Sequence, residues 1–272
     1  MLKQRVVTAL ILGVLVLLGI FFLPVQIWSI VVAAVVALGV REWGALLSLS
    51  RNGTIVLAAL AVLPVVLVGF HPPHGDGLMI LLCIYLCSVF FWAFTASSWL
   101  YIKPDLRGGS MAYLVGITLF VPTSLAMVEL KRAHPGLLVL AILAVCVADI
   151  AAFFVGRKFG KRKLAPNISP GKSWEGFYGG VAGVLIFFVA CAIWAVPQVS
   201  ARIGLISVIL FAVVYALASV EGDLFESFIK RKAGVKDSGT LLPGHGGVLD
   251  RIDSMLSTLP LAGALLAAWQ YF

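Results

Sequence analysis

Nine segments of mostly apolar residues follow one another along this 272-residue chain. A helix of about 20 such residues crosses a hydrocarbon core of roughly 30 Å while satisfying its own backbone hydrogen bonds. The composition agrees, because 61% of the residues are hydrophobic and only 12% are charged, too few for the exterior of a water-soluble domain. The sequence therefore predicts an all-α integral membrane protein and excludes a soluble enzyme. The predicted spans are residues 6–23, 25–40, 54–70, 78–97, 110–128, 136–156, 178–197, 203–222 and 253–272.

The basic residues predict how these helices are oriented in the membrane. Of the 20 Lys and Arg residues, 17 lie at the N-terminus and in alternate connections, and the other three are Lys131, Arg132 and Arg202. Cytoplasmic loops carry the excess of Lys and Arg in membrane proteins. We therefore expect a multi-pass protein of the inner, cytoplasmic membrane, with its N-terminus in the cytoplasm and its C-terminus outside. The net charge of +8 then reflects topology and not nucleic-acid binding.

The acidic residues indicate where chemistry is concentrated. Eight of the 12 Asp and Glu residues lie in the last 124 residues, whereas the first five spans are almost entirely apolar. We expect one continuous membrane domain with two functional regions. Residues 1–135 are predicted to serve packing, lipid contact and dimerisation, and residues 136–272 to form the catalytic region with two cytoplasmic-face loops.

The most polar stretch is residues 221–253. If the eighth helix continues beyond the membrane face, Asp223, Glu226 and Lys230 fall on one side of it with Ser227. Asp250 and Asp253 repeat this spacing at the start of the ninth helix, where each alone is more simply explained as a helix N-cap. Acidic residues at a membrane helix boundary are costly unless they are paired or bind a metal. The two acidic stripes are therefore candidates to converge on a divalent cation.

Two loops could bind phosphate on the same face. Gly246 and Gly247 precede a helix and can offer backbone donors to an anion, with His245 beside them. In residues 169–173 we expect a turn that presents Lys172 and Ser173 to a phosphate. The basic residues of 157–163 are equally well explained by contact with lipid headgroups. Asp149 is a functional candidate because it lies within a span.

Small residues recur around the start of the seventh span. Gly176 and Gly180, and likewise Gly179 and Gly183, are four residues apart. This spacing favours close packing against a neighbouring helix in a membrane.

The region 227–253 resembles the phosphatidate cytidylyltransferase family, also called CDP-diacylglycerol synthase. The shared pattern reads Ser-x-Ile-Lys-Arg, four residues, Lys-Asp-x-Gly, and then Leu-Pro-Gly-His-Gly-Gly-Val-x-Asp-Arg-Ile-Asp. Residues 148–176 also look like the family's second recurring block. The resemblance implies that CTP and phosphatidate become CDP-diacylglycerol and pyrophosphate, with magnesium bound by Asp223 and Asp250. It further implies a homodimer, and a potassium ion as a second ion.

These considerations give each candidate residue a predicted role. The competing hypotheses are a transporter or channel for an anionic solute, a non-catalytic scaffold, and a phosphotransferase of the CDP-alcohol class. The predicted catalytic residues are Asp223, Asp250, Asp253 and Lys230, and the predicted substrate-binding residues are Lys172, Ser173, Ser227, Arg231, Lys236, Asp237, His245, Gly246, Gly247 and Arg251.

Overall fold

The computed structural model describes residues 2–194, 204–241, 244 and 246–271. In this part of the chain, helices account for nearly all regular structure, and one short two-stranded sheet interrupts them. The helices are α1 Leu2–Phe22, α2 Val25–Leu46, α3 Arg51–Phe70, α4 Asp76–Phe90, a π-helix Phe91–Ala96, α5 Ser97–Ile102, α6 Ser110–Ala133, α7 Pro135–Phe159, α8 Trp174–Trp194, α9 Leu205–Lys232 and α10 Leu249–Tyr271, and the strands are β1 Lys163–Ala165 and β2 Ser169–Ser173.

Eight helices of the described part are long and apolar enough to cross a membrane, counting Asp76–Ile102 as one. The remaining predicted span coincides with α1, whose apolar stretch Leu10–Phe22 is shorter. The predicted all-α membrane class is therefore confirmed. The ends of the seventh and eighth predicted spans, within residues 195–203, lie outside the described residues.

Several helices extend beyond the predicted spans on the face that carries the basic residues. Helix α2 continues to Leu46 and not residue 40, because Trp43 and Leu46 beyond the charged pair at 41–42 are still buried. Helix α9 continues to Lys232 and not residue 222. This extension places residues 223–230 on a helix, as the polar spacing predicted.

Helices α6 and α10 form the buried centre, and α6 packs against α2, α3, α4 and α10. Each of the two central helices contains a proline, which leaves a carbonyl four residues earlier without its helical donor. Pro260 does this to the Leu256 carbonyl oxygen, which accepts from Trp92 Nε1 at 3.0 Å and from Thr123 Oγ1 at 3.2 Å. Side chains of neighbouring helices thus donate to the backbone carbonyl that the proline leaves unpaired inside the apolar core.

Two basic residues at the C-terminal end of α6 hold the ends of other helices. Lys131 Nζ is buried and donates to the carbonyl oxygens of Gly19, Ile20 and Leu23, at 3.1, 2.6 and 2.8 Å. Arg132 donates to the last carbonyls of α3 and is 2.9 Å from Glu129. Cations stabilise helix C-termini, where carbonyl oxygens lack helical donors. These residues are therefore structural caps on the sparsely charged face.

Helices α7 and α8 pack closely through their small residues. A Cβ atom on Gly176 would lie 2.8 Å from the Ala152 carbonyl oxygen and 3.2 Å from Gly156 Cα. A Cβ atom on Gly180 would lie 3.1 Å from the Ala148 carbonyl oxygen. Backbone therefore faces backbone at these positions, and the predicted role of the glycine spacing is confirmed.

The segment between α7 and α8 differs from the predicted turn. Residues 169–173 form strand β2, which pairs antiparallel with β1 as a hairpin. The turn prediction was wrong because the serines, proline and glycine of this segment suggested a turn, whereas pairing with residues 163–165 determines its conformation. The hairpin lies on the face that carries most of the basic residues.

Gly176→Ala is expected to lower the stability of the detergent-solubilised protein by about 1–3 kcal/mol, because the added methyl meets backbone that can move only with its helix. Gly13→Ala is the matched control, since nothing lies within 4 Å of a Cβ atom at that position. Thermal unfolding followed by intrinsic fluorescence compares the two variants. Equal transition temperatures for them would contradict the proposed tight contact.

Candidate active site

A cavity of about 480 Å³ opens between α7, the hairpin, α8 and α9. Its polar lining includes Asp149 from α7, Lys172 from β2 and Asp223 from α9, and its apolar lining includes Phe153 and Phe177. Charged groups and aromatic side chains therefore face the same space. Such a cavity suits a ligand that has an ionic head and an apolar body.

An ion pair crosses this cavity. Lys172 Nζ lies 2.5 Å from Asp223 Oδ2, and both side chains are partly exposed. Ser227, one helical turn after Asp223, places its hydroxyl 3.4 Å from Asp223 Oδ1. Ser173, unlike the partly exposed Lys172 beside it, is buried. Its Oγ accepts from the backbone N–H of Gly176 at 3.2 Å. The structure therefore places Lys172, Asp223 and Ser227 together, with Ser173 capping the start of α8.

A second ionic group lies deeper, between α9 and α10. Lys230 Nζ forms ion pairs with Glu226 and with Asp250, the latter at 2.6 Å from Oδ1. All three side chains are buried. A buried ion pair is stable only when its members satisfy one another closely. Lys230 therefore holds two helices together as well as two carboxylates.

Ser238 and Gly247, which precede α10, both donate to the Asp250 carboxylate. Asp250 Oδ2 accepts from the backbone N–H of Ser238 at 2.9 Å and from that of Gly247 at 2.8 Å. Gly246 has a φ of +82°, and a Cβ atom there would lie 2.5 Å from Oδ2. The glycines do let backbone donors approach an anion, and in this structure that anion is Asp250 of the chain itself.

Asp253 connects the two ionic groups. It is half-buried one turn after Asp250, and its carboxylate is close enough to Asp223 and Asp149 for mutual repulsion. Its Oδ1 also accepts from the backbone N–H of Ser254 at 2.7 Å. We call these five carboxylates the acidic cluster: Asp149 and Asp223 line the cavity, Glu226 and Asp250 surround Lys230, and Asp253 lies near both pairs.

The acidic cluster contains more carboxyl groups than cationic partners. Its five carboxylates face two lysines, and the guanidinium of Arg251 is also near Asp149. Within the described part of the chain, Lys230 is the ion-pair partner of Glu226 Oε2, and Glu226 Oε1 has no hydrogen-bond partner. Among the described residues, however, no three acidic, histidine or cysteine side chains converge into a ready-made metal site. A cation that brings further ligands of its own would fit this excess of carboxyl groups.

The remaining predicted basic residues differ in their contacts and exposure. Arg231 donates to the Ile168 carbonyl oxygen at 3.3 Å and to that of Val235 at 3.1 Å, and so ties the hairpin to the end of α9. Lys236 and Arg251 are exposed. His245, which was predicted to bind substrate, lies outside the described residues.

Asp237 lines a second cavity of about 200 Å³ together with Arg107 and Ser238. Arg107 is paired there with Asp105 at 2.7 Å. The hydrogen bonds from Arg107 hold the pKa of the Asp105 carboxyl well below its ordinary value. Arg107 therefore already has an anionic partner at the mouth of this cavity.

Sequence reasoning missed Glu42 of α2. This buried carboxylate accepts from Val248 N at 2.9 Å, Leu249 N at 2.8 Å and Ser238 Oγ at 2.8 Å. A signal was available, since Glu42 is the only acidic residue before Asp76. An acid in such an apolar region is a candidate for function by default.

Comparison with known proteins identifies similar chains over almost the full length. The model of the cytidylyltransferase family matches residues 3–269. The phosphatidate cytidylyltransferase of Pseudomonas aeruginosa is 40% identical, with 99% of each chain covered. Those of Thermotoga maritima and Haemophilus influenzae are 34% and 32% identical, with at least 94% of each chain covered.

Lys230→Met is expected to destabilise the protein by about 3–5 kcal/mol, because it leaves Glu226 and Asp250 buried without a counter-charge. Adding Glu226→Gln should restore part of this loss, since one of the two uncompensated charges is then removed. Denaturation of the single and double variants in mixed micelles gives both values. A single variant as stable as the unmodified protein would show that Lys230 does not neutralise the buried carboxylates.

Proposed function

Because this chain belongs to the cytidylyltransferase family, we propose that it transfers the cytidylyl group of CTP to phosphatidate. The products are CDP-diacylglycerol and pyrophosphate. The observation that carries this function is the cavity in which Lys172 and Asp223 face aromatic side chains. The charged lining of this cavity suits an ionic headgroup, and its aromatic lining suits an apolar chain.

The reaction needs charge neutralisation more than it needs a strong base. A phosphomonoester carries about 1.5 to 2 negative charges at neutral pH, so phosphatidate is already a nucleophile. One of its oxygens bonds to the α-phosphorus of CTP, while the bond from that phosphorus to the bridging oxygen breaks and pyrophosphate leaves with the electron pair. Two anions must approach each other for this step, and positioning with electrostatic stabilisation provides most of the catalysis in such transfers.

The cationic residues of the site have roles that match their positions. Lys172 lines the cavity, so we assign it to the phosphate of phosphatidate. Lys230, between Glu226 and Asp250, is assigned to the triphosphate together with the exposed Lys236 and Arg251. Lysine ammonium groups bind phosphate as mobile point charges, which allows both lysines to exchange a carboxylate for a phosphate.

Magnesium is proposed as the resident cation, held by Asp223 and Asp250. The excess of carboxyl groups in the acidic cluster supports a cation there. Magnesium usually takes one or two carboxylates plus substrate phosphates and water, so a set of three protein ligands is not required. When bound, it would neutralise developing charge on the phosphate oxygens and align them. Potassium as a second ion remains a prediction from the family resemblance.

We also propose that the cavity faces the cytoplasm of the cell from its inner membrane, where CTP is available. The basic residues of the hairpin and of the α9–α10 loop support this orientation through the positive-inside rule. Phosphatidate could keep its acyl chains in the bilayer while its headgroup enters beside Phe153. A homodimer is proposed from the family resemblance.

Asp223→Asn and Asp250→Asn are each expected to reduce turnover by at least about a hundredfold, because each removes a charge that stabilises the reacting phosphates through the cation. The assay uses purified protein, phosphatidate micelles, labelled CTP and magnesium, and follows both lipid-phase label and released pyrophosphate. Asp76→Asn is the matched control, since Asp76 lies at the start of α4, away from the acidic cluster. Near-normal turnover in either site variant would overturn its assignment, and a transporter would form neither product.

The affinity for CTP is expected to fall at least about tenfold when magnesium is replaced by EDTA in the absence of phosphatidate, since metal and nucleotide bind in a linked manner. Asp223→Asn should reduce this difference. Equilibrium binding of labelled CTP to protein in nanodiscs measures it. An affinity that is independent of magnesium would contradict the proposed cation site.

A further inference from the structure

We propose that Glu42 of α2 is a positioning residue for the nucleotide half of the site. It holds Ser238 and the first turn of α10 in the conformation that presents Asp250. This inference rests on the proposed function and extends it, because it gives a role in the reaction to the N-terminal half of the chain.

The carboxylate of Glu42 serves as a cap that α2 supplies to α10. Its Oε1 accepts from Val248 N at 2.9 Å, and its Oε2 accepts from Leu249 N at 2.8 Å. The first backbone N–H groups of a helix have no partner within the helix, and an anion is favoured beside them. Asp or Ser at the helix start usually satisfies these groups, whereas here the acid comes from a residue about 206 positions earlier.

Ser238 connects Glu42 to Asp250. Its hydroxyl lies 2.8 Å from Glu42 Oε2 and 3.0 Å from Asp250 Oδ2, and its backbone N–H donates to the same Asp250 oxygen at 2.9 Å. One serine therefore fixes the separation of the two carboxylates. A shift of Glu42 would reach Asp250 through this serine and through Leu249, its neighbour in the chain.

The surroundings of Glu42 leave little freedom for another arrangement. A Cβ atom on Gly239 would lie 2.5 Å from Oε1, and one on Gly247 would lie 2.3 Å from Oε2. The two glycines thus allow the loop to close on the carboxylate. Glutamine has the same size, but it would direct an NH₂ group at a backbone or hydroxyl donor and lose an acceptor that the loop requires.

The position of Glu42 predicts which substrate it affects. Asp250 and its loop lie on the α10 side of the acidic cluster, whereas Lys172 and the 480 Å³ cavity lie on the α7–α8 side. Loss of Glu42 should therefore weaken the handling of CTP and magnesium and leave the handling of phosphatidate nearly unchanged. A residue that only stabilised the fold would lower the amount of active protein without this selectivity.

The test compares Glu42→Gln with Arg41→Gln, an exposed neighbour on the same helix. Loss of one capping acceptor is expected to raise the KM for CTP and the magnesium concentration at half-maximal rate by about tenfold, with the KM for phosphatidate within about twofold. Hydrogen–deuterium exchange without substrates should show faster exchange of peptides covering residues 238–250 in Glu42→Gln only. Arg41→Gln should match the unmodified protein in every measurement.

If Glu42→Gln does not fold, Ser238→Ala tests the proposed role of Glu42. It removes the hydroxyl between the carboxylates and keeps the two backbone donors to Glu42, so a smaller rise in the KM for CTP, about two- to fivefold, is expected. Unchanged KM values and exchange in both variants overturn the proposal, as does a uniform loss of turnover with unchanged KM values. An unmodified protein that fails to label phosphatidate would instead overturn the proposed function, and the exchange data would still test the contact.

Discussion

The structure depends on keeping a group of carboxylates together at the end of membrane helices. Like charges repel strongly where water is scarce, and an unpaired buried charge costs several kcal/mol. Lys172 pairs with one of these carboxylates and Lys230 with two, on opposite sides of the acidic cluster. Because lysine ammonium groups can exchange a carboxylate partner for a phosphate, the interactions that stabilise this arrangement are also the ones available to substrates.

The hydropathy of the chain predicted its helices well, because a membrane leaves the backbone few alternatives. The ends of the helices were harder to predict. On the basic face, a helix continues through charged residues when neighbouring helices bury the apolar side chains of the same turns. The hairpin was missed for a related reason. Residues 163–165 and 169–173 are short and polar, and only the pairing of the two strands and the contact of Arg231 with the turn between them establish the conformation.

The candidate site residues were predicted where they lie close together in the sequence. The spacing of Asp223, Ser227 and Lys230 on one helix is a local property, and the structure brings them to one side as expected. Glu42 could not be placed in the same way, because its contacts with Val248 and Leu249 follow from the packing of α2 beside α10. Its isolation among apolar residues indicated importance but gave no partner.

The arrangement also explains how one site could receive substrates from two phases. The side lined by Phe153 and Phe177 is apolar and suits a lipid, whereas the side towards the α9–α10 loop carries the exposed basic residues Lys236 and Arg251. Asp253 lies between them, so the charge of either ligand is felt on the other side of the cluster. Binding of a cation with one substrate would therefore reduce the repulsion that the second substrate meets. This coupling follows from proximity alone and requires no large movement of the helices.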